Sequence, residues 1–245
     1  MTKKSWFSTW FDSPYYHILY EQRDEKEAAS FIQALQQKLH IQPGMNVLDA
    51  ACGKGRHAQT LHSLGLQVDG FDLSPSNIDF AKKTEKSHLE FFVHDLRETL
   101  PKQEYYDVIF NFFTSFGYFD DRNDNQKAFQ TFQGGLKKDG ILLMDFLNPS
   151  FVLANLVAEE RVERKGIVFF IKRWESKGYL YKSIEFSDKG HEFHFEEKVE
   201  LISKTDFIQY AAKAGFELID MKGNYQLAHF DEIHSPRMIF FWVKK

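Results

Sequence analysis

Four short polar side chains stand where apolar runs end: Asp49 after Val47-Leu48, Asp72 after Gly70-Phe71, Asp95 after Phe91–His94, and Asn111 after Val108–Phe110. A carboxylate or carboxamide in such a place accepts hydrogen bonds from a polar ligand, and a carboxylate also attracts a cation. Between the first two lies Ala51-Cys52-Gly53-Lys54-Gly55. Gly53 and Gly55 lack a Cβ, which permits a tight turn and a close approach of a ligand to the main chain. Arg56 to Leu64 follows with Ala58, Leu61 and Leu64 at helical spacing. Residues 45–64 therefore read as strand, glycine turn and helix N-terminus, whose free N–H groups suit a nucleotide-like ligand.

The spacing Gly53-x-Gly55-x-x-Ala58 satisfies the dinucleotide fingerprint, with Asp72 placed as a ribose-binding acid. Asp49 shifts the balance. A carboxylate at the mouth of the first strand repels the pyrophosphate of a nicotinamide or flavin coenzyme. It favours S-adenosylmethionine, which has no phosphate and carries an ammonium and a sulfonium. A P-loop is excluded, because Lys54 is followed by Gly55 and no glycine stands five residues before Gly53. Any one strand-end acid could merely cap a turn or a helix. Four at successive strand ends point to one crevice.

The elements that must position these residues alternate. Asp24 is a plausible N-cap for a helix reaching about residue 40, with Ala28, Phe31, Ile32, Leu35 and Leu39 on one face and Pro43-Gly44 beyond its end. Strands are expected at about 45–49, 66–72, 89–94, 106–112 and 140–146, and helices at about 55–64, 75–86 and 122–137. Ser74-Pro75 opens the second of these helices as cap and first-turn proline. This alternation implies a parallel sheet with right-handed crossovers and helices on both faces. Over residues 160–201 the period changes to two. Arg161–Arg173, Tyr179–Phe186 and His191–Leu201 read as antiparallel strands separated by Lys177-Gly178 and Asp188–Gly190 turns. A helix at about 204–214 and strands at about 216–222 and 237–243 end the chain. The fold class is α/β: a Rossmann-like, doubly wound, seven-stranded, mostly parallel sheet with an antiparallel last strand, plus a small appended antiparallel sheet. In domain terms, 1–159 and 202–245 form the main body with an N-terminal lid. The 160–201 insertion is either a substrate cover or a dimer contact.

The combined motifs resemble the class I S-adenosylmethionine-dependent methyltransferases. Val47-Leu48-Asp49-Ala50-Ala51-Cys52-Gly53-Lys54-Gly55-Arg56 is similar to their first motif, and Gly70-Phe71-Asp72-Leu73-Ser74 to the acidic end of their second strand. His94-Asp95-Leu96-Arg97 is similar to their adenine-contacting loop, and Tyr106–Asn111 to their fourth-strand motif. Phe113–Phe119 and Ser235-Pro236-Arg237 resemble a bacterial small-molecule branch. One departure is Ala51, where the family usually has its first glycine. The resemblance implies S-adenosylmethionine as cofactor, S-adenosylhomocysteine as product and no metal. It places Asp49 at the methionine ammonium, and Ala51, Gly53 and Gly55 as backbone lining the cofactor. Asp72 would take both ribose hydroxyls, Leu73 and Leu96 would sandwich the adenine, and Asp95 would accept from its amine. Asn111 and Phe112 would offer backbone near the sulfonium. For the methionine carboxylate, Tyr20 and Arg23 of the N-terminal segment are the candidates.

Methyl transfer from a sulfonium is an in-line displacement that needs positioning and exclusion of water more than a protein nucleophile. No catalytic residue is assigned. His94, His229 and His234 could serve as a base, histidine being the residue type suited to it near neutral pH, yet a structural role is the simpler reading of each. His191 and His194 fall on opposite faces of a strand, which argues against a shared metal. Tyr16, Phe116, Tyr118 and Arg237 are the candidate acceptor-pocket residues, taken from segments outside the sheet.

Composition bounds the rest. The chain has 245 residues, a net charge of −4 and a 16% aromatic share with 26 Phe, which fits a Phe-rich core, an aromatic-lined pocket, or both. With no long basic run, a nucleic-acid partner has little electrostatic support. The single Cys52 excludes an internal disulfide framework. No signal-peptide pattern or membrane-length apolar run is present, so a cytoplasmic protein without a membrane partner is expected, with a small-molecule acceptor and a homodimer as one option for its assembly. Two rivals remain: a non-catalytic nucleoside- or S-adenosylmethionine-binding protein, and a nicotinamide-dependent oxidoreductase, which Asp49 opposes.

Overall fold

The computed structural model describes residues 10–20 and 25–245. The elements, in order, are α1 (Pro14–Leu19), α2 (Glu25–Lys38), β1 (Asn46–Ala50), α3 (Arg56–Ser63), β2 (Gln67–Asp72), α4 (Pro75–Ala81), β3 (Leu89–Val93), β4 (Tyr106–Asn111), α5 (Arg122–Gly135) and β5 (Leu136–Leu147). There follow α6 (Pro149–Ala154), β6 (Glu159–Arg164), β7 (Ile167–Ser176), β8 (Tyr179–Asp188), β9 (His191–Glu200), α7 (Lys204–Lys213), β10 (Phe216–Lys222) and β11 (Arg237–Lys244).

Seven strands form the main sheet in the order β10-β11-β5-β4-β1-β2-β3. β3, β2, β1, β4 and β5 run parallel, and β11 is antiparallel to both β5 and β10. Alternate residues of each strand fill opposite faces, because successive Cβ atoms point to opposite sides. Leu48, Ala50, Ile109, Met144 and Phe240 pack with Phe129 and Phe132 of α5 and Phe207 of α7 on one face. Val47, Val68, Phe110, Leu143 and Phe241 pack with Phe31 of α2, Leu61 of α3 and Ile78 of α4 on the other. Each such Phe contributes about 1.5–3 kcal/mol by leaving water. The order of strands reverses between β1 and β4, and their C-terminal ends open one crevice there.

The appended sheet has four strands, β6-β7-β8-β9, where the sequence suggested three. Arg161–Arg173 divides at Lys165-Gly166, since Arg164 pairs with Ile167 across a two-residue turn. Lys177-Gly178 and Lys189-Gly190 close the next two hairpins in the same way. Both residues of all three turns have positive φ, the twist that joins right-handed strands. Other boundaries also move. The helix expected to reach 86 ends at Ala81 and continues as a 3-10 turn over Lys82–Thr84. α5 stops at Gly135 and β5 starts at Leu136, with a register shift opposite Tyr106 and Val108 accommodating residues 137–140. The short helix α6, capped by the Asn148 side chain, lacked the length to show a period. Asp24, the suggested cap of α2, and Arg23 lie outside the described residues.

Candidate functional site

The glycine turn leaves β1 through Ala51, which holds the left-handed φ of 61°. That conformation costs a non-glycine residue about 1–2 kcal/mol, and it is the local consequence of alanine where the family carries glycine. Gly53 (φ 56°) has open space where a Cβ would stand, so the backbone there forms a bare cradle. Gly55 (φ 78°) differs: a Cβ would lie 2.6 Å from the Phe91 ring. It serves close packing of α3 on β3 and does not line the cleft.

The turn is tied to β2. The Gly53 N–H donates to Asp72 Oδ2 at 2.9 Å, and the Cys52 N–H donates to the Phe71 carbonyl at 2.8 Å. Asp72 also accepts from the Ser74 N–H at 2.9 Å through Oδ1. Asn77 Nδ2 lies 3.4 Å from Oδ1 as a third donor, so one of the carboxylate's about four acceptor positions remains for a ligand hydroxyl. Burial pushes the Asp72 carboxyl above its ordinary value, against the lowering effect of these amides.

Asp49 is sealed behind the turn, 1% exposed, and does not line the cleft. Its Oδ2 has no hydrogen-bond partner among the described residues. Burial pushes its pKa up to about 7, opposed by the Ala58 amide and assisted by the nearby Asp72 charge. An orphaned buried carboxylate oxygen is costly unless something cationic or donating completes it.

Asp95 lines the cleft but is gripped by Arg97, whose Nε reaches Oδ1 at 2.9 Å and Nη2 reaches Oδ2 at 2.6 Å. Leu73 and Leu96 line the cleft with it. Asn111 is fully buried away from the cleft, and its Nδ2 donates to the Ala50 carbonyl at 3.0 Å, holding the ends of β1 and β4 together. Phe112 faces the cleft, as do Tyr16, Phe116 and Tyr118. Arg237, expected in the acceptor pocket, instead forms an ion pair with Asp145 at 2.7 Å outside the lining. The guanidinium is only partly withdrawn from water, whereas Asp145 on the neighbouring strand is fully buried and needs the cation as its partner.

The roof comes from far in the sequence. Asp12 accepts from Ser74 Oγ at 2.6 Å and from Ser76 Oγ, clamping the N-terminal segment to the start of α4. Trp10 Nε1 and Tyr20 OH donate to Glu197 Oε1 of β9 at 2.6 and 2.7 Å. Tyr20 OH also meets Lys182 of β8. Tyr20, Glu197 and Lys165 all line the cleft, and the inner face of the appended sheet packs on Trp10 and Leu19. Arg56, His57 and His17 line it too; sequence reasoning passed them over. Arg56 and His57 follow the glycine turn directly, a signal that was available. Glu197 had none, for its partners lie 177 and 187 residues away. Among the candidate bases His94 lines the cleft, with Nε2 3.1 Å from the Glu98 carbonyl oxygen; His229 and His234 do not line it. Among the described residues no group of three His, Cys, Asp or Glu is placed to hold a metal, and no helix is long and apolar enough to cross a membrane. The cleft encloses about 690 Å³, within the range of small-molecule sites.

A family model described as "Methyltransferase domain" matches residues 41–198. The chain belongs to this methyltransferase family. A curated relative, the putative methyltransferase YqeM of Bacillus subtilis (strain 168), is 29% identical over 150 residues, covering 60% of this chain and 57% of the relative. The chain thus matches a little over half the length of its curated relatives. Among solved structures, an S-adenosylmethionine-dependent methyltransferase from Clostridium acetobutylicum ATCC 824 superposes with a TM-score of 0.79 at 17% identity, covering 94% of this chain and 96% of that one. The S-adenosylmethionine-bound amino pentose methyltransferase CalS10 from Micromonospora echinaspora gives 0.72 at 16% identity, covering 95% and 98%. The fold is that of the class I S-adenosylmethionine-dependent methyltransferases. This methyltransferase fits that cofactor on three observations: the unpartnered Asp49 oxygen, the bare Gly53 cradle, and the remaining acceptor capacity of Asp72.

Proposed function

We propose that this methyltransferase moves a methyl group from S-adenosylmethionine to a small-molecule acceptor. The observation that carries the reading is Asp49: a buried carboxylate with a free oxygen, set behind the bare Gly53 turn, gives the cleft wall a negative potential that favours a cationic amino-acid tail over a diphosphate. Asp72 would hold a ribose hydroxyl, and Leu73 and Leu96 the adenine faces. Asp95 would meet the adenine amine with the acceptor capacity Arg97 leaves. Arg56, lining the cleft beside the turn, stands with Arg23 as a donor for the methionine carboxylate, since the single Tyr20 O–H is given to Glu197. The cofactor supplies an activated methyl group with its leaving group built in. The chain's own residues orient the acceptor and exclude water.

The insertion acts as a cover in this reading. Glu197 and Lys165 belong to the cleft wall, and Trp10 and Tyr20 tie the lid to β9. A cavity shared by the glycine turn and this roof supports a catalytic role over mere binding. Solved relatives named for sugar acceptors support the small-molecule class. The single, buried Cys52 suits a reducing compartment.

Calorimetry with S-adenosylhomocysteine and with NADH tests the cofactor. Micromolar-range binding of the first and none of the second is expected. Transfer of isotope-labelled methyl from S-adenosylmethionine into a panel of amine, hydroxyl and carboxylate metabolites then tests the reaction. Binding of NADH instead would overturn it.

A further inference from the structure

The loop leaving β4 is left-handed at two successive residues that are not glycine, Phe113 (φ 57°) and Thr114 (φ 60°). A β-branched residue rarely accepts that region, so the surroundings must hold it there. They do so through one buried acid. The Phe113 N–H donates to Asp145 Oδ2 at 2.8 Å, and the Thr114 N–H donates to the Asp145 carbonyl at 3.0 Å. Arg237 Nε donates to Asp145 Oδ1 at 2.7 Å, and its Nη2 donates to Thr114 Oγ1 at 2.9 Å. Thr114 Oγ1 accepts again from the Leu147 N–H at 3.1 Å, and Tyr225 OH donates to Asp145 Oδ2 at 3.2 Å. Asp145 is fully buried.

The strands do not require this network. β5 and β11 are already paired over seven residues, from Arg237 with Leu147 to Val243 with Ile141. A buried ion pair is a poor source of net stability, and its geometry matters more. What the geometry delivers is the Phe113 ring. It faces the cleft and stacks on His57 at 4.9 Å with an interplanar angle of 11°, backed by Tyr225 at 5.2 Å. We propose that Asp145 and Arg237 are positioning residues: through the Phe113-Thr114 turn they fix the Phe113–His57 ring pair that walls the cleft. Neither of them lines the cleft. Their effect on ligand binding rests on the cofactor reading above, whereas their effect on the ring pair does not.

The test follows the ring protons of His57 by NMR in the full chain with labelled histidine, the His57→Gln variant supplying the assignment. Phe113→Leu removes the stacked ring and should shift the His57 signals downfield. Arg237→Lys and Thr114→Val should move them at least half as far in the same direction. Both should weaken S-adenosylhomocysteine binding about tenfold, while Thr114→Ser, which keeps Oγ1, restores wild-type values in both measurements. Thr114→Val leaves the ion pair intact and decides the matter if Arg237→Lys does not fold. His57 signals that stay at their wild-type positions in folded Arg237→Lys or Thr114→Val, while Phe113→Leu shifts them, would overturn the proposal. Absence of S-adenosylhomocysteine binding by the wild-type chain would sink the cofactor reading and leave the ring readout to stand alone.

Discussion

The Gly53 N–H and the Asp72 carboxylate are joined by a 2.9 Å hydrogen bond. The turn after β1 and the acid at the end of β2 are therefore one unit, and the cradle keeps its shape only while the acid is there. Asp72 braces the backbone of the glycine turn, in addition to the acceptor role proposed for it.

Replacement of Asp72 by Ala should accordingly weaken S-adenosylhomocysteine binding about tenfold to a hundredfold, the effect of losing hydrogen bonds to a charged group. Isothermal calorimetry reads it directly. Affinity unchanged from wild type would remove Asp72 from the ribose site.

Asp49 carries a pH signature. Its carboxyl is pushed from the usual 3.8 up to about 7 by burial. Between those values the folded chain holds a proton that the unfolded chain has released, so the stability from this group is present at low pH and lost as pH rises through about 7. Asp49→Asn should thus unfold at higher urea than wild type at pH 8, by on the order of 4 kcal/mol, with the gap narrower at pH 5 and closed only near pH 4. Ligand binding should respond in the opposite sense, because a cationic tail prefers the ionised form: the variant should bind S-adenosylhomocysteine more weakly, most of all above pH 7. Urea titrations and calorimetry at these pH values check both arms.

The two glycines separate stability from binding. Gly55→Ala drives a methyl to within 2.6 Å of Phe91 at a φ of 78°, and should cost about 1–3 kcal/mol of stability. Gly53→Ala meets nothing within 4 Å; it should cost only about 1 kcal/mol for its φ while largely abolishing cofactor binding. Ala51→Gly, which relieves a φ of 61°, should gain about 0.5 kcal/mol after the entropy of the freer unfolded chain is deducted. Thermal melts and calorimetry on the same three variants distinguish these outcomes.

Glu197 fastens the roof. Glu197→Ala removes the acceptor shared by Trp10 and Tyr20 and should raise amide exchange over residues 10–20 about tenfold. Exchange in β1, β4 and β5 should stay as it was. An unchanged rate over residues 10–20 would show that Asp12, through Ser74 and Ser76, is sufficient to hold the lid.

Local pattern made much of this chain legible from its residues alone. Val47-Leu48-Asp49 ahead of Gly53 and Gly55 marks a buried strand entering a ligand turn, because apolar runs, glycines and helical spacing act over a few residues. Ser74-Pro75 marked a helix start that the structure keeps, with Ser74 Oγ accepting from the Asn77 N–H. The alternation of strands and helices was enough to set the doubly wound sheet. The division of Arg161–Arg173 was legible by the same rule: Lys165-Gly166, which sequence reasoning passed over, is the same dipeptide as Lys177-Gly178.

What tertiary structure alone decided are the pairings made across long stretches of chain. Asp49 was expected at the mouth of the site and lies behind its wall. Arg237 was expected in the pocket and lies against Asp145, which is 92 residues away. The lid meets Glu197 across more than 170 residues. Sequence fixes which side chains carry charge and which way each element turns. Which charge meets which, and whether water stays between them, depends on how whole layers pack, and no spacing within a single element encodes that.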